Sequence, residues 1–351
     1  MSDAELLVER QGRVGCLTLN RPTALNALTL DMVSGITSAR NQWRDEAQVS
    51  AVMITGAGPR AFCAGGDISD LYARGKAGDY GFAQAFWRAE YAMNNQIGQY
   101  PKPVVAFIHG FCLGGGVGVA CHARHRIVGE TARISLPECG IGLVPDVGGT
   151  RLLARAQSGV GAFLGLTGAR MDPGAAIEAG FADAFIPEAD WPAAKSALIA
   201  AGDPAALTSF LAPAPSPHKG LPTEDLRQIF AAESLAVLLE QLAHSDAPGA
   251  PEARAALAAA SPLALATAFA MLQQAGSAPS LQDALRLEYR AVRRALEIGD
   301  FLEGIRARIV DRDNAPRWRH AAPADVTQAE VAAMLAPLGD DELHLQDETE
   351  C

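Results

Sequence analysis

This chain is constrained above all by a series of apolar, β-prone segments, each closed by a turn signal of glycine, proline or asparagine and followed by a helical pattern. Residues 103–108 (PVVAFI) run into His109-Gly110, residues 50–55 (SAVMIT) into GAGP, and residues 13–19 (RVGCLTL) into LNRPTALNALT. A strand that is apolar at every position needs cover on both faces. The intervening sequence supplies helices for that cover, because residues 28–43 and 82–97 carry apolar positions at helical spacing. Further helical segments are expected at about 150–166 and 173–180. The alternation defines an α/β fold with a helix-covered sheet.

The composition then changes. Three regions are expected: an α/β core over 1–190, a loosely ordered Pro/Ala-rich connection over 191–223, and a helical C-terminal region over 224–351 without a convincing strand. The acidic end, DDELHLQDETEC, is expected to fray. With 29 basic and 40 acidic side chains the net charge is −11, which argues against a general nucleic-acid or anionic-membrane partner. The six cysteines (16, 63, 112, 121, 139 and 351) form no CxxC pair and mostly lie in apolar runs, so buried thiols are expected. The seven histidines show no HExxH spacing, and no metal is expected. Neither a secretory leader nor an apolar stretch of membrane-spanning length is visible, so the expected location is cytoplasmic.

Three stretches carry the chemistry. Ala61-Phe62-Cys63-Ala64-Gly65-Gly66-Asp67-Ile68 follows a strand and a turn, and its small residues let a ligand approach backbone N–H groups. His109 to Gly118 (HGFCLGGGVG) places Gly114 to Gly116 at a helix start, where unpaired N–H groups favour negative charge. Facing each other, the two segments would form an oxyanion hole. Either cluster alone is equally consistent with tight chain reversal. A dinucleotide fingerprint is excluded because GxGxxG from Gly114 would need glycine at Val119, and no GxxxxGK[ST] occurs. The third stretch, Leu136 to Gly149 (LPECGIGLVPDVGG), sets Glu138 and Asp146 in apolar surroundings suited to raised carboxyl pKa values and acid–base work. Taken singly, each could instead cap a helix or close a turn.

Together, VGCLTLNRPTALNAL, FCAGGDI, HGFCLGGGVGVA and PECGIGLVPDVGGT resemble the crotonase (enoyl-CoA hydratase/isomerase) superfamily. The resemblance implies a spiral of ββα turns followed by C-terminal helices, an oxyanion hole from the N–H groups of Gly66 and Gly115, and Ala64 near the adenine of coenzyme A. It implies no separate cofactor, since coenzyme A is part of the substrate. A homo-oligomer is compatible with it.

Two positions bear on the branch. Hydratases of this family use two glutamates around the added water; here Glu138 stands at the second and Gly118 at the first. Gly118, Glu138 and Asp146 resemble the 3-hydroxyisobutyryl-CoA hydrolase branch. So do FWRAEYAMNN (86–95), LEYR (287–290), GDFLEGIRA (299–307) and DRDNAPRW (311–318). In that branch the position of Glu90 lies near the substrate. On the helix alone Glu90 would more often be a solvated charge, Trp87 core packing, and Glu303, Arg306, Arg308 and Asp311 a surface ion network, with Arg306 or Arg308 alternatively meeting a coenzyme A phosphate. Cys139 reads as a core thiol rather than a nucleophile. The expected activity is hydrolysis of a short β-hydroxyacyl-CoA thioester, with Glu138 and Asp146 catalytic and Ala64, Glu90, Gly115, Glu138 and Asp146 contacting substrate. Alternatives are a Δ3,Δ2-enoyl-CoA isomerase or hydratase, or a non-catalytic acyl-CoA-binding protein.

Overall fold

The computed structural model describes residues 4–276 and 279–346. Two sheets organise the first half. The larger has the order β1 (Leu6–Gln11), β2 (Val14–Leu19), β3 (Ala51–Gly56), β5 (Val104–Ile108), β7 (His125–Val128) and β9 (Ala184–Phe185). The smaller has the order β4 (Ala61–Cys63), β6 (Phe111–Leu113) and β8 (Arg133–Ser135). Among the described strands β1 and β2 pair antiparallel and the other strand pairs are parallel. Successive strands β3–β4, β5–β6 and β7–β8 each place one member in each sheet, and a helical stretch follows every pair. The result is the spiral of ββα turns implied by the resemblance.

The strands form where expected, and β5 shows why they are apolar throughout. Val104, Ala106 and Ile108 enter the main core, whereas Val105 and Phe107 enter a second core on the opposite face. The first face is covered by α1 (Leu30–Arg44), α3 (Gly81–Gln99) and the short α4 (Gly115–Ala120). α1 starts on Thr29, whose side chain accepts the N–H of Met32. α2 (Ser69–Lys76) lies between β4 and α3 in the chain.

The second face is covered by residues expected to form a loose connection. α8 (Trp191–Ala201) places Trp191, Ala194 and Leu198 against Phe107, Met53 and Ile127. Trp191 meets Phe107 edge-on at 5.3 Å and donates its indole N–H to the Ile186 carbonyl at 2.9 Å. A 3-10 stretch, Pro204–Phe210, adds Leu207 to this core. Alanine-rich composition reflects helix propensity here, and the buried tryptophan fixes the segment. The single helical segment expected at 150–166 is two helices, α5 (Gly149–Arg155) and α6 (Val160–Thr167), separated where Gly159 adopts φ 80°. α7 (Pro173–Glu178) follows, capped by the Asp172 side chain.

The C-terminal region is helical, as expected: α9 (Glu224–Phe230), α10 (Leu235–Ala243), α11 (Ala250–Ala259), α12 (Pro262–Ala275), α13 (Leu281–Ala295), α14 (Phe301–Ile305) and α15 (Gln328–Leu335). No single helix among the described residues is long and apolar enough to cross a membrane. The acidic end departs from the expectation of fraying as far as it is described. Leu343 is buried, Glu342 pairs with Arg290 at 3.0 Å and Asp341 with Arg293 at 2.7 Å. Arg88 of α3 donates to the carbonyls of Asp341 and Glu342. Clustered arginines on α3 and α13 thus hold an otherwise self-repelling acidic segment. Residues 347–351, including Cys351, lie outside the described residues; the other five cysteines are buried and free.

Candidate active site

The three chemical stretches converge on one cavity of about 110 Å³, which Ala64, Gly66, Glu90, Gly115, Glu138 and Asp146 all line. Parallel pairing of β4, β6 and β8 brings the segments following these strands to one edge of the small sheet. Gly66 and Gly115 follow the first two strands. Glu138 opens a 3-10 turn, Glu138–Ile141, after the third. Asp146 lies in the loop before α5, and Glu90 reaches in from α3.

The backbones of the two glycines lie against one another. A side chain at Gly115 would come within 3.2 Å of the Gly66 nitrogen and 2.5 Å of Glu90 Oε1. Among the described residues neither N–H has an acceptor: the bonds around Leu28 are made by the Gly65 carbonyl and the Asp67 N–H, and Gly115 opens α4. Gly114 holds φ 47°, and a Cβ there would meet Glu138 Oε1 at 2.8 Å. Glycine is therefore required both for the turn and for the approach of the carboxylate.

Glu90, Glu138 and Asp146 are 2%, 5% and 5% exposed, and among the described residues no cationic side chain lines their cavity. Glu90 Oε1 and Glu138 Oε2 are buried without a hydrogen-bond partner. Burial, and then the charge of Asp146, pushes both glutamates well above the usual carboxylate range. Asp146 is pushed up to about 7 by burial, partly offset by the Tyr91 hydroxyl, which donates to its Oδ2 at 2.6 Å. Groups this close titrate together. Glu90 is thus no solvated charge, although its helix pattern alone favours that reading. Trp87 packs on Phe301 and also lines the cavity.

The Asp146 turn rests on residues that sequence reasoning missed. Val147 holds φ 55°, a left-handed conformation costly for a β-branched residue. His122 Nε2 bonds the Val147 carbonyl at 2.7 Å. Glu288, fully buried on α13, accepts the N–H groups of Gly148 and Thr150, both at 2.7 Å. Burial pushes Glu288 up to about 8 despite these bonds. Tyr91 in turn packs edge-on against Tyr289. The only sequence signal for Glu288 was a glutamate on the apolar side of an amphipathic helix, within LEYR.

Gly118 has no room for a side chain. A Cβ would lie 2.6 Å from Asn94 Nδ2 and 2.8 Å from Val147 Cβ. Cys139 is buried and its thiol pKa is pushed up by burial, as a core thiol requires. The surface network forms: Arg306 bonds Glu303, Asp311 and Asp313, and Arg308 bonds Asn314. Arg306 is therefore engaged by three carboxylates. No group of three or more described residues is arranged to hold a metal ion.

The spiral fold thus brings two glycine segments with acceptor-free N–H groups, among the described residues, and three buried carboxylates to one cavity. The enoyl-CoA hydratase/isomerase family model matches residues 14–335. A zebrafish (Danio rerio) protein named 3-hydroxyisobutyryl-CoA hydrolase, mitochondrial, is 37% identical, over 97% of this chain and 92% of its own. The human protein of that name is 34% identical over 97% and 90%. Among solved structures, an enoyl-CoA hydratase from Rhodobacter sphaeroides is 50% identical with a TM-score of 0.90, covering 97% of this chain and 100% of its own. A carnitinyl-CoA dehydratase from Mycobacterium thermoresistibile is 41% identical with a TM-score of 0.91, over 99% and 100%. The chain belongs to the enoyl-CoA hydratase/isomerase family and, within it, to the 3-hydroxyisobutyryl-CoA hydrolase branch.

Proposed function

We propose that this protein hydrolyses the thioester of a short β-hydroxyacyl-coenzyme A, with 3-hydroxyisobutyryl-CoA, an intermediate of valine breakdown, as its substrate. The observation that carries the reading is the pair of acceptor-free N–H groups at Gly66 and Gly115, set over a small cavity with three carboxylates and no cation. The curated relatives agree with it over nearly their whole length. Two similar solved structures are named as a hydratase and a dehydratase. We give these less weight, because Asn94 and Val147 fill the space a second catalytic carboxylate at position 118 would need.

In this reading the thioester oxygen sits between the N–H groups of Gly66 and Gly115. One such donor contributes about 3 kcal/mol to the transition state. As general base, the ionised Glu138 takes a proton from water, and the water oxygen bonds to the carbonyl carbon. The resulting oxyanion rests on the two N–H groups. Collapse breaks the C–S bond, and the departing thiolate takes up the proton from Glu138. In the nucleophilic route Glu138 bonds to the carbonyl carbon itself, the thiolate takes a proton from Asp146, and water then opens the mixed anhydride. Asp146, held by Tyr91, orients the substrate hydroxyl, and Glu90 lies beside the acyl group. Ala64 meets the adenine portion.

Label in Glu138 after a single turnover in ¹⁸O water means an anhydride opened at the Glu138 carbonyl; with label only in the acid, trapping of Glu138 as its hydroxamate by hydroxylamine separates an anhydride opened at the acyl carbon from the general base. The activity itself is tested by thiol release from 3-hydroxyisobutyryl-CoA beside a short enoyl-CoA. Release abolished by Glu138→Gln is expected; double-bond migration or hydration without release would overturn the assignment. Coenzyme A enters as substrate, and the reading requires no further cofactor, nucleic acid or membrane. Assembly into a homo-oligomer is compatible with it. The curated relatives are named as mitochondrial proteins, and our cytoplasmic placement rests on the sequence alone.

A further inference from the structure

A second cavity lies apart from the one that holds Glu138 and Asp146 and shares no lining residue with it. It measures about 740 Å³ and is walled by the ends of α3 and α4, by α5, by Ala179-Gly180 and by the start of α13. Its charged side chains are Arg126, Arg151 and Arg155, joined by His122, and no carboxylate lines it. In a chain of net charge −11, three guanidinium groups around an acid-free cavity are out of proportion to the composition.

Arg126 is occupied: it pairs with Asp183 and donates to the Gly180 carbonyl at 2.6 Å. Arg151 and Arg155 have no acceptor among the described residues, and they stand four apart on one short helix, where like charges repel. Arg151 is half-buried, and burial together with the charges of Arg155 and Arg126 depresses its proton affinity. His122 is buried and neutral, its Nε2–H donating to the Val147 carbonyl, so the cationic character of the cavity comes from the arginines alone. Two neighbouring guanidinium groups without acceptors among the described residues mark a place where an anion would be stabilised, and such a pair matches phosphate oxygens.

We propose that this cavity is a second, non-catalytic site for a phosphate-bearing anion, seated on Arg151 and Arg155 with Arg126 behind them. The site contacts the catalytic loop through His122, which bonds the Val147 carbonyl beside Asp146. The phosphate groups have two conceivable sources, a separate phosphorylated metabolite or the phosphate-rich end of coenzyme A. We assign the cavity to a separate ligand, because no lining residue is shared with the catalytic cavity.

The test uses the full chain and inorganic pyrophosphate as probe. Calorimetric titration of the native protein, of Arg151→Gln/Arg155→Gln and of Arg227→Gln, a surface arginine outside the cavity, is compared with thioester KM for each. The expected result is saturable one-site binding, weakened on the order of 100-fold in the double variant and unchanged in Arg227→Gln. Thermal midpoint and thioester KM should stay unchanged in the double variant. Absence of saturable binding, or equal binding by the double variant, overturns the site. A thioester KM that rises as pyrophosphate affinity falls would make the cavity part of the coenzyme A path and overturn the separate ligand. Because pyrophosphate binding is read without turnover, the site stands or falls independently of the hydrolase assignment.

Discussion

Glu138 and Asp146 have raised proton affinity because they are buried with no cation lining their cavity among the described residues, and the proposed roles make this measurable residue by residue. A base must be ionised to act, so the rate should rise with pH as these carboxyls lose their protons. With Glu138 held well above its usual range by burial and by the charge of Asp146, the lower limb of the kcat/KM profile is expected above the ordinary carboxylate range. Asp146→Asn should reduce turnover and move the limb of the residual activity to lower pH, because the charge that raises Glu138 is gone. An unchanged rate would remove Asp146 from the mechanism. Glu288 acts through the turn rather than on substrate. Gln at 288 presents one acceptor and one donor to two backbone N–H groups, leaving one unpaired at about 1–3 kcal/mol. Glu288→Gln is expected to lower kcat roughly 10–100-fold with KM within about two-fold. A KM effect alone would contradict this positioning role.

Among the elements, α8 and the docked C-terminal segment serve stability rather than chemistry. Trp191 seals the second face of the larger sheet against Phe107. Trp191→Ala should cost about 3–5 kcal/mol, read as a lower denaturant midpoint at unchanged thioester KM. A midpoint within error of the native one would show that α8 is the loose connection its composition suggested. α13 differs in kind, since it carries both an arginine face that holds Asp341 and Glu342 and the buried Glu288 that holds the catalytic turn. One helix thus ties the C-terminal region to the site.

For the whole molecule, the buried carboxylates set a conflict between function and stability. Asp146 at about 7 and Glu288 at about 8 lie above their unfolded values near 4. Their protonated forms therefore favour the folded state. That contribution is complete below about pH 4 and declines as pH rises through 7 and 8. His122, lowered to about 4 by burial, contributes in the opposite direction between about 4 and its unfolded value near 6.5. The difference between native protein and Asp146→Asn isolates the carboxyl. The variant is expected to lose less stability between pH 5 and 8 and to unfold at higher temperature than the native protein at pH 8. A native-like pH dependence in the variant would show that Asp146 is ionised without cost.

The amino-acid order by itself determined the local elements and the catalytic stretches, because both depend on short-range pattern. Unbroken apolar runs such as PVVAFI are explicable only as doubly covered strands, and Gly114 and Gly115 announced a backbone that a ligand must approach. Their resemblance to a known family supplied the pairing of Gly66 with Gly115, and parallel registry then put both beside Glu138 and Asp146. Other features depend on partners far along the chain. Residues 191–201 read as linker because alanine and proline signal both helix and loop, and only Phe107 across the sheet resolves the ambiguity. Glu90 looked solvated because helical periodicity ranks positions by face and does not reveal that a second glycine segment closes over one of them. Glu288 stands 138 residues from Thr150, and no local pattern marks a glutamate whose oxygens meet two distant N–H groups. The close encounter of Gly118 with Asn94 is likewise a matter of packing, which tertiary contact alone decides.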